Sequence, residues 1–207
     1  MLKLYVTFFD LTEPIMRQER FSHYRTEKLG KNRNQKARLQ SCYAELLLRY
    51  AMNDSGFSVK GPLEIEKGEY GKPYLKTGEC CFSLSHSEQA VLCALSDKEL
   101  GADIQIIRPM NDSLMERYYT SEERDYVRSC DDPDLAYTGI WARKESYIKA
   151  SGLGLTAPLT SFSVCDPEIA DHIWHTVIRR YVLAVYCPDD IPDKVELHEV
   201  KPDALLI

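Results

Sequence analysis

The pattern that most restricts the fold of this chain is a long amphipathic helix accompanied by short apolar runs, and it occurs in each half. Residues 35–52 carry apolar side chains at helical spacing. A second long helix begins near Pro133 and ends at Gly152 and Gly154, because glycine accepts the left-handed conformation that closes a helix. Strand-like runs are predicted at residues 2–10, 82–85, 90–95, 100–107, 161–164, 172–179 and 181–186. The sequence therefore predicts an α+β fold with two similar lobes.

Length and composition limit the classes of protein to which the chain can belong. Its 207 residues suit one large core or two small lobes that share an interface. The apolar content of 44% excludes a disordered chain, and the formal charge of −6 argues against a dedicated nucleic-acid binder. No run approaches the ~18 apolar residues of a membrane helix. Seven cysteines without a CxxC pair, and an N-terminus typical of a strand rather than a signal peptide, favour a cytoplasmic protein with reduced thiols.

The stretch LGADIQII carries polar side chains on one face of a predicted strand. Successive strand residues point to opposite faces, so Asp103 and Gln105 share one face while Ile104 and Ile106 point into the core. A carboxylate and a side-chain amide oxygen therefore converge. An isolated Asp103 could equally be a turn residue at the end of a strand.

The stretch WARKESYIKASGLGL puts charges on one face of the second long helix. Trp141, Glu145 and Lys149 follow each other at four-residue spacing, and Lys144 lies next to that face. If helix and strand meet, Asp103, Gln105 and Glu145 supply three oxygens suited to Mg²⁺, and the lysines could hold phosphate. Taken alone, Glu145 and Lys149 are also an ordinary surface ion pair.

The segment 25–38 is a basic island in an acidic protein. Arg25, Lys28, Lys31, Arg33, Lys36 and Arg38 surround the lone acid Glu27. Such an island is either a solvated surface or a site for an anionic ligand or an acidic protein partner. The residues themselves leave both readings open.

These motifs together resemble a known family. GADIQ followed by WARKESYIKASGLGL is similar to the two signature motifs of Sfp-type 4′-phosphopantetheinyl transferases. YGKPYL at 70–75, FSLSHSEQAVLCAL at 82–95 and LTSFSV at 159–164 resemble further family segments, in the same order. The likeness extends from about residue 25 to 165.

The resemblance implies a fold and a reaction. The fold would be α+β, with two pseudo-twofold-related lobes, each with a small antiparallel sheet and a long helix: residues 1–103 and 104–207. Coenzyme A would bind in the cleft between them. A serine hydroxyl of an acyl or peptidyl carrier protein would attack the β-phosphate, with Mg²⁺ present, and adenosine 3′,5′-bisphosphate would leave. The resemblance favours a cytoplasmic monomer acting in nonribosomal peptide or polyketide synthesis.

The resemblance also implies roles for individual residues. Asp103 and Glu145 match the metal carboxylates, and Glu145 is the preferred general base, with Lys149 as the alternative. Gln105 stands where the family usually has glutamate, which should weaken metal binding or let a water replace the ligand. The residues that match coenzyme A contacts are Lys28, Lys31, Arg38, Lys72, Ser85, His86, Lys144 and Lys149. Trp141 is expected to pack rather than to catalyse.

Two other functions remain open at this stage. Gln105 is compatible with a module that binds coenzyme A or a carrier protein without turnover. The acidic pair is compatible with an unrelated Mg²⁺-dependent phosphohydrolase. A serine hydrolase is excluded, because the chain has no GxSxG motif and Ser85 and His86 are adjacent on a strand, so their side chains point apart.

Overall fold

A computed structural model describes residues 1–12, 21–31, 33–69, 71–152, 158–189 and 191–205. These residues form two compact units, Met1–Lys98 with Pro192–Ile207, and Glu99–Ile191. The helices are α1 (His23–Lys31), α2 (Gln35–Asp54), α3 (Asp112–Tyr118), α4 (Ser121–Ser129), α5 (Pro133–Ser151) and α6 (Pro167–Ala170). The strands are β1 (Leu2–Phe8), β2 (Ile65–Lys67), β3 (Pro73–Leu75), β4 (Cys81–Ser87), β5 (Ala90–Ser96), β6 (Gly101–Ile106), β7 (Ile173–Ile178), β8 (Tyr181–Tyr186) and β9 (Glu196–Glu199). Within the described ranges, no helix combines the length and apolar character that crossing a membrane requires.

The first unit is a four-stranded sheet, in the order β4-β5-β1-β9, covered by α2. The side chain of Asn34 caps α2 by accepting a hydrogen bond from the Ala37 amide, and the apolar face of the helix buries Leu39, Tyr43 and Leu47. Helix α1 is tied to α2 by a buried carboxylate, because Glu45 accepts hydrogen bonds from the backbone amide and the hydroxyl of Ser22. The start of α1, the helix that carries several of the basic residues, is therefore held against α2.

The second unit is a three-stranded antiparallel sheet, in the order β6-β8-β7, packed against α5. Asp132 caps the start of α5 and Pro133 occupies its first turn, where proline costs no hydrogen bond. Gly152 ends it with a φ of 68°, as predicted for a left-handed cap. Gly154 lies outside the described residues. Helices α3 and α4 complete a core around Met115, Tyr119 and Ile140.

The α+β class is confirmed, and three details differ from expectation. The expected boundary at 103/104 falls inside β6, and residues from Pro192 onward belong to the first unit, because β9 pairs with β1. That pair is parallel, so the first sheet is mixed rather than antiparallel. The strand predicted at 161–164 is wrong: Leu159–Ser161 forms a 3-10 helix, and the segment after it hydrogen-bonds to side chains instead of a neighbouring strand. The seven cysteines are free thiols. Pseudo-twofold symmetry stays a prediction.

Candidate active site

Asp103 occupies the middle of β6, but it is buried rather than on the exposed face that the strand pattern suggested. The residue is only 1% exposed. Its carboxylate accepts hydrogen bonds from Lys149 Nζ at 2.5 Å and from Gln105 Nε2 at 2.8 Å. Lys149 Nζ also donates to the Ala102 carbonyl at 3.2 Å. A strand acid, its neighbouring amide and a helix lysine therefore do meet.

Gly101 explains how the helix comes so close to the strand. A methyl group at this position would overlap the backbone oxygen of Ser146 and the backbone nitrogen of Ala150, and would lie 2.9 Å from the carbonyl carbon of Lys149. Only a residue without a side chain lets β6 and α5 pack backbone against backbone. The motif GADIQ, which resembles the family signature, begins with this glycine, but the packing role of the glycine was not predicted.

Glu145 lies on α5, one turn before Lys149, and is half-buried. Burial raises the pKa of its carboxyl, the negative charge of Asp103 raises that pKa further, and Lys149 lowers it. No group in the described ranges donates a hydrogen bond to this side chain. The Asp103 carboxylate lies close enough to disfavour the charged form of Glu145, and a bound cation would stabilise both carboxylates.

The donors at this site fit Mg²⁺ better than a metal that needs a complete protein cage. Among the described residues, no group of three or more His, Cys, Asp or Glu lies close enough to hold a metal. The expected set contains two carboxylates, from Asp103 and Glu145, with the amide of Gln105 as the third member. Mg²⁺ is usually bound through one or two carboxylates plus waters and substrate phosphates.

Lys144 has a different environment from the expected phosphate contact. Its side chain is 0% exposed, and its Nζ donates to both carboxylate oxygens of Glu123 at 2.7 Å and to the Phe162 carbonyl at 2.8 Å. An ammonium has three protons, and all three are used by these acceptors. In this arrangement Lys144 has no proton left for a phosphate.

A cavity of about 270 Å³ lies beside Gln105 within the second unit. Its lining comes from Gln105 and Ile106 on β6, from Tyr137, Thr138 and Trp141 on α5, from Leu114 on α3 and from Arg108. Trp141 lies one helical turn before Glu145 and packs edge-on against Tyr118, which agrees with its expected packing role.

Two residues of the basic island, together with one lysine from outside it, lie around an aromatic ring of the first unit. Lys28 Nζ lies 5.0 Å from the centre of the Tyr24 ring, Lys67 Nζ at 5.3 Å and the Arg25 guanidinium carbon at 5.5 Å. Lys28 and Lys31 are exposed, and Lys31 pairs with Glu27 at 2.6 Å. Lys67 lies on β2, far along the chain from the island, so no local pattern could have pointed to it.

Arg38 is half-buried on α2 and carries an unsatisfied donor. Its Nε is buried and has no hydrogen-bond partner among the described residues. An unpaired buried donor costs roughly 1–3 kcal/mol. A ligand with an anionic oxygen would remove that cost.

The remaining expected contacts also belong to the first unit. Ser85 and His86 are successive residues of β4, so Ser85 is buried opposite Leu92 and His86 is exposed opposite Val91. Lys72 is half-buried immediately before β3.

The family model and three relatives that match this chain carry the same description, 4′-phosphopantetheinyl transferase. The model of the 4′-phosphopantetheinyl transferase superfamily matches residues 99–185, which include β6, α5 and the acidic pair. The chain is 26% identical over 170 residues to the 4′-phosphopantetheinyl transferase Sfp of Bacillus subtilis (strain 168), covering 79% of this chain and 76% of Sfp. It is 31% identical over 158 residues to the 4′-phosphopantetheinyl transferase gsp of Aneurinibacillus migulanus, covering 75% and 66%. A further 4′-phosphopantetheinyl transferase of Bacillus subtilis is 37% identical over 99 residues, covering 46% and 44%.

Proposed function

Since the chain belongs to the 4′-phosphopantetheinyl transferase superfamily, we propose that it transfers the 4′-phosphopantetheine arm of coenzyme A to a serine of a carrier protein, with Mg²⁺ as cofactor. The observation that carries this proposal is the meeting of Asp103, Gln105, Glu145 and Lys149 on β6 and α5. The acceptor would be an acyl or peptidyl carrier of nonribosomal peptide, polyketide or fatty-acid synthesis. The enzyme would act as a cytoplasmic monomer.

In the proposed reaction, the serine oxygen forms a bond to the β-phosphorus of coenzyme A while the bond from that phosphorus to the bridging oxygen of the diphosphate breaks. The phosphopantetheine arm passes to the serine, and adenosine 3′,5′-bisphosphate leaves with the bridging oxygen. Mg²⁺, held by Asp103 and Glu145 with Gln105 as the weaker third ligand, would neutralise the diphosphate. The protein otherwise contributes position and charge, as is usual in phosphoryl transfer.

Glu145 is the proposed general base that takes the serine proton. Its carboxylate accepts no hydrogen bond among the described residues, so its oxygens are available to take a proton from a nearby hydroxyl, directly or through water. Lys149 is the less suitable base, because it already donates to Asp103 and to the Ala102 carbonyl. We assign Lys149 to holding Asp103 and a substrate phosphate.

The first unit would hold the nucleotide end of coenzyme A. The buried Nε of Arg38 lacks a partner within the part of the chain that the structure describes, and Lys28 stands in the cationic cluster around Tyr24. The other residues that we propose for coenzyme A binding are Lys31, Lys72, Ser85 and His86. Lys144 is not among them.

The proposal is tested by the intact mass of a carrier protein. Apo carrier, coenzyme A, Mg²⁺ and the enzyme should give a carrier heavier by one phosphopantetheine arm, with one adenosine 3′,5′-bisphosphate released per carrier. Release of phosphate or nucleotide without a carrier would instead indicate a phosphohydrolase. Binding of coenzyme A without any mass gain, on carriers from all three pathways, would indicate a module without turnover.

Replacing Gln105, the proposed ligand that differs from the family pattern, tests the metal site. Gln105→Glu adds a third carboxylate beside Asp103, and we expect it to lower the Mg²⁺ concentration that gives half-maximal transfer by about tenfold. The measurement is the transfer rate across a Mg²⁺ titration in wild type and variant. An unchanged Mg²⁺ requirement would show that residue 105 does not contact the metal.

Removing the Arg38 guanidinium, whose Nε has no partner among the described residues, tests the nucleotide end. We expect Arg38→Met to raise the KM for coenzyme A by about tenfold or more, because a charged hydrogen bond to phosphate is lost. The matched substrate is 3′-dephospho-coenzyme A, whose KM should be the same for wild type and variant if Arg38 contacts the 3′-phosphate. Equal effects on both substrates would place Arg38 away from that phosphate.

A further inference from the structure

The buried ion pair of Lys144 and Glu123 takes no part in the chemical steps of the proposed transfer reaction. We infer that this pair is a positioning device: it fixes the rotation of α5 about its axis, and so places the carboxylate of Glu145 beside Asp103. Lys144, the first lysine of the KE pair, then acts through Glu145 and not on coenzyme A. This inference rests on the proposed function for its catalytic readout, but the ion pair itself can be tested without it.

The pair joins three parts of the second unit at one point. Both residues are 0% exposed. Glu123 belongs to the first turn of α4, where its Oε2 accepts from the Thr120 amide and its Oε1 from the Val164 amide. The start of α4, the middle of α5 and the segment after the 3-10 helix therefore share one buried carboxylate.

The same point is reinforced by Phe162. Its carbonyl accepts a hydrogen bond from Lys144 Nζ, and that nitrogen lies 4.4 Å from the centre of its ring. The Phe162 ring packs at 4.5 Å against Tyr147, which is two residues beyond Glu145 on α5. Lys144 and Tyr147 are thus held by one residue of the neighbouring segment, on either side of Glu145 in sequence.

Holding Lys144 constrains Glu145 because successive residues of a helix keep a fixed angular offset about its axis. Rotation of α5 would break the three hydrogen bonds of a fully buried ammonium, which has no water to replace them. The opposite side of the helix is held by the close packing of Gly101 on Ser146 and Ala150. Glu145 lies between these two restraints, and a misplacement of about 1 Å at a reacting group can cost about a hundredfold in rate.

A phosphate contact and a positioning role predict different kinetics. If Lys144 bound phosphate, Lys144→Met would raise the KM for coenzyme A, and Glu123→Met would not do so to the same extent. If the pair positions Glu145, both variants should lower kcat, because removal of either partner disturbs the same restraint, while KM changes little.

The experiment measures kcat, the KM for coenzyme A and Tm for Lys144→Met, Glu123→Met and the double variant. Removing one partner leaves a buried charge unpaired, so a single variant that fails to fold is a possible result, whereas removing both charges is often tolerated. The decisive protein is therefore the double variant. We expect it to fold, with kcat lowered about a hundredfold and KM for coenzyme A within about twofold of wild type.

The matched control is Arg143→Met, which removes a cation from the residue before Lys144. Arg143 Nε donates to the Gly139 carbonyl, and no hydrogen bond joins it to Glu123 among the described residues. Its kcat should equal that of wild type.

Two results would overturn the inference. The first is a double variant with the kcat of wild type, because the restraint would then be unnecessary. The second is a double variant whose main change is a raised KM for coenzyme A, because Lys144 would then act on the substrate. If wild type itself gave no transfer, the proposed function would fail, and the coupling of the two Tm changes would still report on the pair.

Discussion

Glu145→Gln should lower the rate of carrier modification by at least about a hundredfold, because it removes both the proposed general base and one of the two proposed metal carboxylates while keeping the shape of the side chain. The measurement is the initial rate of mass gain on a carrier at saturating coenzyme A and Mg²⁺. Glu168→Gln, at an exposed position on α6, is the matched control and should leave the rate unchanged. A Glu145→Gln enzyme with more than about a tenth of the wild-type rate would remove Glu145 from the role of base.

The same substitution should raise the Tm of the protein without metal. The pKa of Glu145 is raised in the fold by burial and by Asp103, so its charged form is less favourable in the folded than in the unfolded chain. The cost is absent below the ordinary glutamate pKa, grows as pH rises toward the folded pKa, and is fully present above it. The gain in Tm from glutamine should therefore be larger at pH 8 than at pH 4. A gain that shrinks with rising pH would contradict the assigned shift.

Gly101→Ala should destabilise the second unit by about 3 kcal/mol or more, because the new methyl group would overlap the backbone of α5 and the backbone cannot yield as a flexible side chain could. The expected fall in Tm is about 6 °C or more for a chain of this size. Any folded fraction should also transfer slowly, because moving α5 away from β6 separates Glu145 from Asp103.

Gly139→Ala is the control for this effect. Gly139 lies on α5 as well, and a methyl group there would meet nothing within 4 Å. Alanine should be neutral or stabilise the helix by up to about 1 kcal/mol. Equal Tm values for the two alanine variants would contradict the close packing at Gly101.

Much of the site could be predicted from local patterns. Alternation along β6 placed Asp103 and Gln105 on one face, and helical spacing placed Glu145 and Lys149 together, because both patterns depend only on the geometry of one element. The burial of Asp103 was not predicted, since it depends on how closely α5 covers β6. That closeness comes from Gly101. A single glycine forms no periodic pattern, so its packing role could not be predicted from the local sequence.

Lys144 and the segment 161–164 show where local reasoning fails. A lysine next to the proposed catalytic glutamate resembles a ligand contact, and its burial depends on Glu123, which lies on another helix. The alternation of apolar residues at 162 and 164 suggested a strand. Their backbone groups bond instead to Lys144 and Glu123, which no pattern within the segment could indicate.

The central claim is that a strand carboxylate and a helix carboxylate together hold one divalent ion against the diphosphate of coenzyme A. It is tested most directly by calorimetric titration of Mn²⁺ into wild type, Asp103→Asn and Glu145→Gln, each with coenzyme A bound. We expect one ion per chain in wild type and an affinity at least about tenfold lower in each variant. Equal Mn²⁺ affinity in all three proteins would contradict the claim.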